Sequence, residues 1–326
     1  MKNLVLGALA AGMLCACGTV AVRVPVMKPA EINMAPYQSV AIGEMTGSGN
    51  RPVSDSLEEA LVNSSRFTVV DRQHMNQVMR ELHLSSTDLA DPNAAAKLGK
   101  VVTAGALIFG DVQHSYREQP NEQRYQDDKK VWHTIYSVKG EAYVRATFKI
   151  VDVSTGRLIV AKTYEERRDD TNRALDRRPE QVDRIALENS ARRAVVDRFM
   201  KAIVPHQEYM YANFQKDGDI PQLEGGIGWA ERGDWKKAQS TFNDAVQASE
   251  KNVKLKSGQV AKCYWNLGLS YEYAGDYDKA ETMVNKAYEL SNDKDMLAEI
   301  DNIHRLQADA RKLAEQTAAP EAMGAK

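Results

Sequence analysis

Residues 143–157 read Tyr143-Val144-Arg145-Ala146-Thr147-Phe148-Lys149-Ile150-Val151-Asp152-Val153-Ser154-Thr155-Gly156-Arg157, and this stretch says what kind of sheet the chain builds. Val144, Ala146, Phe148 and Ile150 alternate with Tyr143, Arg145, Thr147 and Lys149, the period of a strand with one buried and one wet face. Ser154 to Arg157 supply a turn, and Leu158 to Thr163 return as an antiparallel partner. Upstream, Ser39 to Gly43 form a short apolar run expected as a buried strand. Gly47, Ser48 and Gly49 form a loop, and Pro52 with Ser54 or Asp55 is expected to open a helix whose buried stripe is Leu57, Ala60 and Leu61. Arg66 to Asp71 read as a second strand, Met75, Val78, Met79 and Leu82 as a helix, Ala94 to Leu98 as a short helix, and Ala106 to Gly110 as a third strand. This order predicts parallel pairing, which the hairpin of residues 143–163 then extends. Residues 117–130 are polar throughout and read as a loop or hairpin tip. Ile185, Ala186, Ala194, Val195, Phe199 and Ile203 mark a long helix over Val182 to Val204, ended by Pro205. The expectation is an α/β domain of residues 38–205: a mixed sheet with flanking helices.

The order of phrases in this domain resembles the CsgG family, the curli-assembly lipoproteins of the outer membrane. The similar places are Val40-Ala41-Ile42 leading to Thr46-Gly47-Ser48-Gly49, then Arg66 to Arg72, Ala94 to Lys100, Leu107-Ile108-Phe109-Gly110 and Ile150 to Gly156. The fold also looks like that of lipoproteins that activate peptidoglycan synthases. The resemblance implies an envelope protein and leaves self-association open. It also implies pore hairpins, for which residues 117–130 and 165–178 are the available positions. Both are crowded with charge, and each Arg or Lys facing mid-membrane lipid costs about 2–4 kcal/mol. The expectation is that this chain is not itself a channel.

Beyond a linker at 206–218, Trp265, Leu267, Gly268, Tyr271, Gly275, Tyr277, Ala280 and Ala287 follow the tetratricopeptide (TPR) pattern. Gly226, Trp229, Gly233, Trp235, Ala238, Phe242 and Ala245 repeat it upstream. Ala238 and Ala280 lie 42 positions apart, against ~34 for a standard repeat, so the connection around Asn252 to Gln259 is lengthened. An all-α module of helical hairpins over 219–316 is expected, capped by a helix carrying Leu297, Ile300, Ile303, Leu306 and Leu313, with a loose tail at 317–326. The first helix of such a unit lines the groove that holds peptides or partner helices. The match puts Lys262, Trp265, Leu269, Glu272 and Tyr273 at groove positions; Trp265 and Leu269 can equally pack between repeats, whereas Glu272 and Tyr273 are the expected ligand contacts.

The N-terminus adds an address. Lys2 precedes an apolar run, Leu4 to Met13, too short to span a bilayer. Leu14-Cys15-Ala16-Cys17 resembles a bacterial lipobox, which implies cleavage after Ala16 (signal peptide 1–16), acylation of Cys17 and a lipidated tether over 17–37. Gly18 stands where retention in the inner membrane typically uses Asp, so the outer membrane is expected. Of three cysteines, Cys263 alone would remain as a thiol, and no disulfide within the mature chain is expected. Hydrophobic content of 43% and charged content of 27% suit folded domains, and a net charge of −2 gives no reason to expect nucleic acid.

Chemistry is sparse. His74, His83, His114, His133, His206 and His304 are scattered without metal-ligand spacing, and Gly43, Gly47 and Gly49 lack the Gly-Lys-Ser/Thr of a phosphate loop. Neither cofactor nor metal is expected. The sequence reading is a periplasm-facing, non-enzymatic scaffold or assembly factor that binds other envelope proteins or peptides; a curli-like secretion component and a regulator of peptidoglycan synthesis are the alternatives. Replacing Cys17 by Ser behind a cleavable signal is expected to move the protein from the membrane fraction to the soluble fraction. Retention of that variant through a carbonate wash would contradict an anchor made of lipid alone.

Overall fold

The computed structural model describes residues 18–70 and 105–318. The predicted helices at Met75–Leu82 and Ala94–Leu98, and the lipobox with Ala16 and Cys17, lie outside the described residues. The chain divides into two compact units. One holds Ala30–Pro205 and the chain from Glu315; the other holds the residues up to Pro29 together with His206–Ala314.

The first unit is a five-stranded mixed sheet ordered β3-β2-β4-β5-β6, built from β2 (Ser39–Gly47), β3 (Thr68–Val70), β4 (Ala106–Gln126), β5 (Trp132–Asp152) and β6 (Leu158–Leu175). β2 pairs in parallel with β3 and β4, and β4-β5-β6 are antiparallel. Helix α1 (Asn50–Asn63) and helix α2 (Arg184–Ile203) cover one face. α1 begins at Asn50, ahead of the expected Pro52, because Gly49 takes a left-handed φ of 77° as its N-cap. Asp183 caps α2 by accepting from the Ala186 N–H at 2.9 Å.

The alternation in 143–150 works as its spacing requires. Ala142, Val144, Ala146, Phe148 and Ile150 are all buried, packed with Leu57 and Leu61 of α1 and Val195 and Phe199 of α2. Phe148 and Phe199 stack with ring centroids 4.3 Å apart, both fully buried. Residues 30–37, expected as tether, belong to this unit: Met34 is part of its core, and the Ile32 N–H donates to the Ala202 carbonyl.

Residues 117–130 are corrected. β4 runs unbroken to Gln126, its register with β5 holds to Gln126↔Trp132, and only 127–131 turn. β6 likewise continues through the charged 165–175. Beyond Arg117, past the buried Ala142 and Val144 that pair with Tyr116 and His114, a narrow arm of antiparallel strands projects for about 30 Å at ~3.4 Å per residue. Its polarity hid it, because both faces are in water and no buried side drives alternation.

The second unit begins with a second correction. The expected tether of 17–37 contains β1 (Thr19–Lys28), and the expected linker of 206–218 contains β7 (His206–Gln215). They pair antiparallel from Thr19↔Gln215 to Lys28↔His206. Pro25 is tolerated because a two-stranded ribbon has free edges that need no donor. Five helices follow: α3 (Gln222–Ala230), α4 (Trp235–Lys251), α5 (Ser257–Glu272), α6 (Tyr277–Ser291) and α7 (Asp295–Thr317). α3–α4 and α5–α6 are the two helical hairpins. Each depends on one glycine at the crossing: a Cβ on Gly226 would stand 2.3 Å from the Phe242 ring, and one on Gly268 2.7 Å from Val284. Met296, Ile303 and Leu306 of α7 are buried, Met296 and Ile303 within the same core, so α7 caps the pair.

Phe199→Ala is expected to lower the stability of the sheet unit by about 3–5 kcal/mol, measured from the urea midpoint of the chain lacking its acyl group. A loss below about 1 kcal/mol would contradict the stacked core.

Candidate partner groove

Helix α5 carries four of the five expected groove residues and Tyr273 is its C-cap; the structure sets every one against the protein itself. Lys262 Nζ lies 2.9 Å from Asp217 Oδ2. Asp217 is buried; burial raises its carboxyl, but hydrogen bonds from Lys262, the Asp219 N–H and Gln259 outweigh this and hold it below the usual carboxylate range. Trp265 is buried and donates its indole N–H to the Asn213 carbonyl at 2.8 Å. Leu269 is buried in the core shared by ribbon and helices. Tyr273 stacks on Trp235 of α4 at 5.9 Å.

Glu272 is the clearest departure. Expected as a ligand contact, it is 1% exposed. Its Oε1 accepts from Asn302 Nδ2 at 2.8 Å, while Oε2 has no hydrogen-bond partner. Burial, and then the neighbouring Glu299, push its carboxyl up to about 9, so at neutral pH it is held protonated inside the helical stack. A side chain in that position contacts no incoming peptide. Removing Glu272 and Tyr273 together would unpick the core.

The groove is filled by β7. A strand in a two-stranded ribbon has one edge whose N–H and C=O groups lack a strand partner. At the C-terminal end of β7 that edge presents Asn213 and Gln215, and α5 satisfies these. Beside the Trp265 bond, Asn266 Oδ1 accepts from the Gln215 N–H at 2.8 Å, and Asn266 Nδ2 donates to the Gln215 carbonyl at 2.8 Å. Asn266 has both a donor and an acceptor on one planar amide, so a single side chain does what a third strand would do. It is fully buried. Sequence reading passed over Asn266, although an amide beside the groove tryptophan is the available signal. The ribbon's Val22, Val24, Ala212 and Phe214 then pack on Leu223, Ile227 and Phe242, with Phe214 and Phe242 stacked at 5.6 Å. Cys263 is buried in the same core, and burial pushes its thiol up.

The surface left open lies elsewhere, at the tip of the arm. Val131 and Trp132 are 50% and 68% exposed, with Tyr125 and Leu175 also exposed nearby. The turn beneath them is pinned. Asp127 Oδ1 accepts from the Val131 N–H at 2.7 Å, and Asp176 Oδ1 from the Thr134 N–H at 2.7 Å. His133 lies 2.6 Å from Asp176 and 3.5 Å from Asp127; the hydrogen bond to Asp176, ahead of the desolvation that opposes it, raises its pKa. A turn braced in this way would need little ordering on binding.

Among known proteins, the chain matches the model of the curli production assembly/transport component CsgG over residues 30–218. A tetratricopeptide repeat model follows at residues 230–293. No curated protein gives a significant match. Solved structures of similar shape include the LpoB C-terminal domain from Salmonella enterica, at 18% identity over 40% of this chain and 83% of that one, with a TM-score of 0.23. A PelC dodecamer from Paraburkholderia phytofirmans is similar at 11% identity over 57% and 100%, TM-score 0.28. Lipoprotein GNA1162 from Neisseria meningitidis is similar at 12% identity over 50% and 96%, TM-score 0.28.

Two outcomes follow from the filled groove. Asn266→Ala strands the Gln215 N–H and C=O and is expected to cost about 1–3 kcal/mol, read from urea midpoints. Glu272→Gln keeps the Asn302 bond and removes the titration. The folded state holds that proton between the ordinary carboxylate value of 4.5 and about 9, while the unfolded chain releases it, so wild-type stability falls as pH rises through that window. The stability gained by Glu272→Gln is therefore expected to be larger at pH 8 than at pH 5; an equal gain at both would contradict a buried, protonated Glu272.

Proposed function

Since this chain belongs to the CsgG family, we propose that it is a lipoprotein of the outer membrane, acylated on Cys17, that faces the periplasm and organises other envelope proteins without catalysing a reaction. The α/β domain makes the contact. The observation that carries this division of labour is the filled groove: the TPR face that would take a foreign peptide holds β7, whereas the arm of the α/β domain ends in exposed Val131 and Trp132 on a pinned turn.

The arm also bears on the reading as a curli-like secretion component. Its strands exceed the ~9–11 residues that cross a bilayer. Crossing also needs one apolar face about 25 Å tall. On β4 one face carries Glu118, Glu122 and Arg124 and the other Arg117, Asn121 and Gln123. On β6, charges occupy both faces from Glu165 to Asp170. These side chains favour an arm that works in water, and they support contact over conduction.

A photo-crosslinking amino acid in place of Trp132, in intact cells, is expected to give discrete adducts with other envelope proteins. The same group in place of Val253, which is 98% exposed on the loop before α5, is expected to give none of them. Identical adduct patterns from the two positions, or none from Trp132, would overturn the arm as the contact surface.

A further inference from the structure

The β1–β7 ribbon buries one face on the helices and leaves the other in the open. Strand alternation turns five side chains of each strand outward. Among these, Met27, Tyr209 and Tyr211 are 48%, 50% and 64% exposed. Pro25 stands opposite Tyr209, and Arg23 opposite Tyr211. Arg23 is the single charged group of the ten and no acid is present, in a chain that is 27% charged. Its guanidinium lies 3.5 Å from the centre of the Tyr209 ring. Large half-apolar rings with polar tips, plus one cation on an apolar stem, are the side chains that settle at the level of lipid headgroups.

We propose that this face of the ribbon lies flat on the lipid surface that Cys17 anchors. The inference rests on acylation of Cys17, as proposed above. Thr19 opens β1 two residues after Cys17, so at most ~7 Å of chain separates the anchor from the ribbon. The ribbon therefore starts at the membrane, and the remaining choice is its tilt. Standing upright, it would hold Tyr209 about 20 Å above the lipid, with its aromatic, acid-free side facing water. Lying down, it places Pro25, Met27, Tyr209 and Tyr211 among the headgroups and lets Arg23 reach a phosphate.

The test uses the acylated, processed full chain in vesicles of phosphatidylethanolamine and phosphatidylglycerol containing a doxyl-labelled lipid. A fluorescent thiol label is placed at Ala21→Cys, near the anchor, or at Gln207→Cys, opposite Met27 at the far end; Cys263 is buried and stays unlabelled. Acylation is read separately from the mass of the N-terminal peptide. Quenching at Gln207 within about twofold of that at Ala21 is expected, and Tyr209→Ser with Tyr211→Ser is expected to cut the far-end quenching about threefold or more while sparing Ala21. Quenching at Ala21 but not at Gln207 overturns the flat ribbon and leaves the anchor standing. A dimer whose interface shields both tyrosines, seen by crosslinking with Gln207 unquenched, overturns it in favour of a second copy. Absence of acyl mass and of quenching at both sites removes the anchor and the proposal together.

Discussion

A bare strand edge is a standing cost, and in this chain two side chains of α5 remove it at the end of β7, at Asn213 and Gln215. Among the described residues β1 and β7 pair only with each other, which leaves the outer edge of β7 in need of partners. Asn266 and Trp265 provide them from the first helix of the second TPR hairpin. Segments far apart in sequence, Thr19–Lys28 and His206–Gln215, are thereby fused to the helical module. Without that edge contact the ribbon would be an isolated two-stranded sheet, marginal in water. With it, Phe214 reaches Phe242, Val22 and Val24 gain an apolar bed, and the module has a third layer that two repeats alone would lack.

The same contact redistributes function. A TPR face built to hold an extended segment holds one supplied by its own chain, in the manner of strand addition at an edge. Glu272 shows how committed the packing is, since its carboxyl is fully enclosed next to Glu299 and held protonated. In the α/β domain, β4 and β5 outrun the core and end on a turn braced by Asp127, His133 and Asp176, the surface proposed for partners.

Much of the fold was legible in the sequence, for a physical reason: wherever one face is buried, the side chains carry the period. Val144 to Ile150 gave the hairpin, Leu57 and Leu61 the first helix, and Gly226 and Gly268 the close crossings of the repeats. The arm was not legible because both its faces are wet, so Arg117 to Gln126 carry no alternation for burial to impose. The ribbon is a different case. Val20, Val22, Val24 and Val26 do alternate; three prolines in 25–36 drew attention to a tether instead. Lys262, Trp265, Leu269, Glu272 and Tyr273 lie on α5 or at its C-cap and pack against the protein's own strands and helices. The pattern could not show that a strand 50 residues away in sequence would occupy the space in front of Trp265 and Asn266.

Amide hydrogen exchange, resolved to single residues in β7 of the non-acylated chain, tests the filled groove most directly. The account predicts that the Gln215 N–H, held by Asn266, is as protected as the core amides of α5, and that Asn266→Ala selectively releases it. Exchange of the β1 and β7 amides at the rate of an open loop, with α5 still protected, would contradict it.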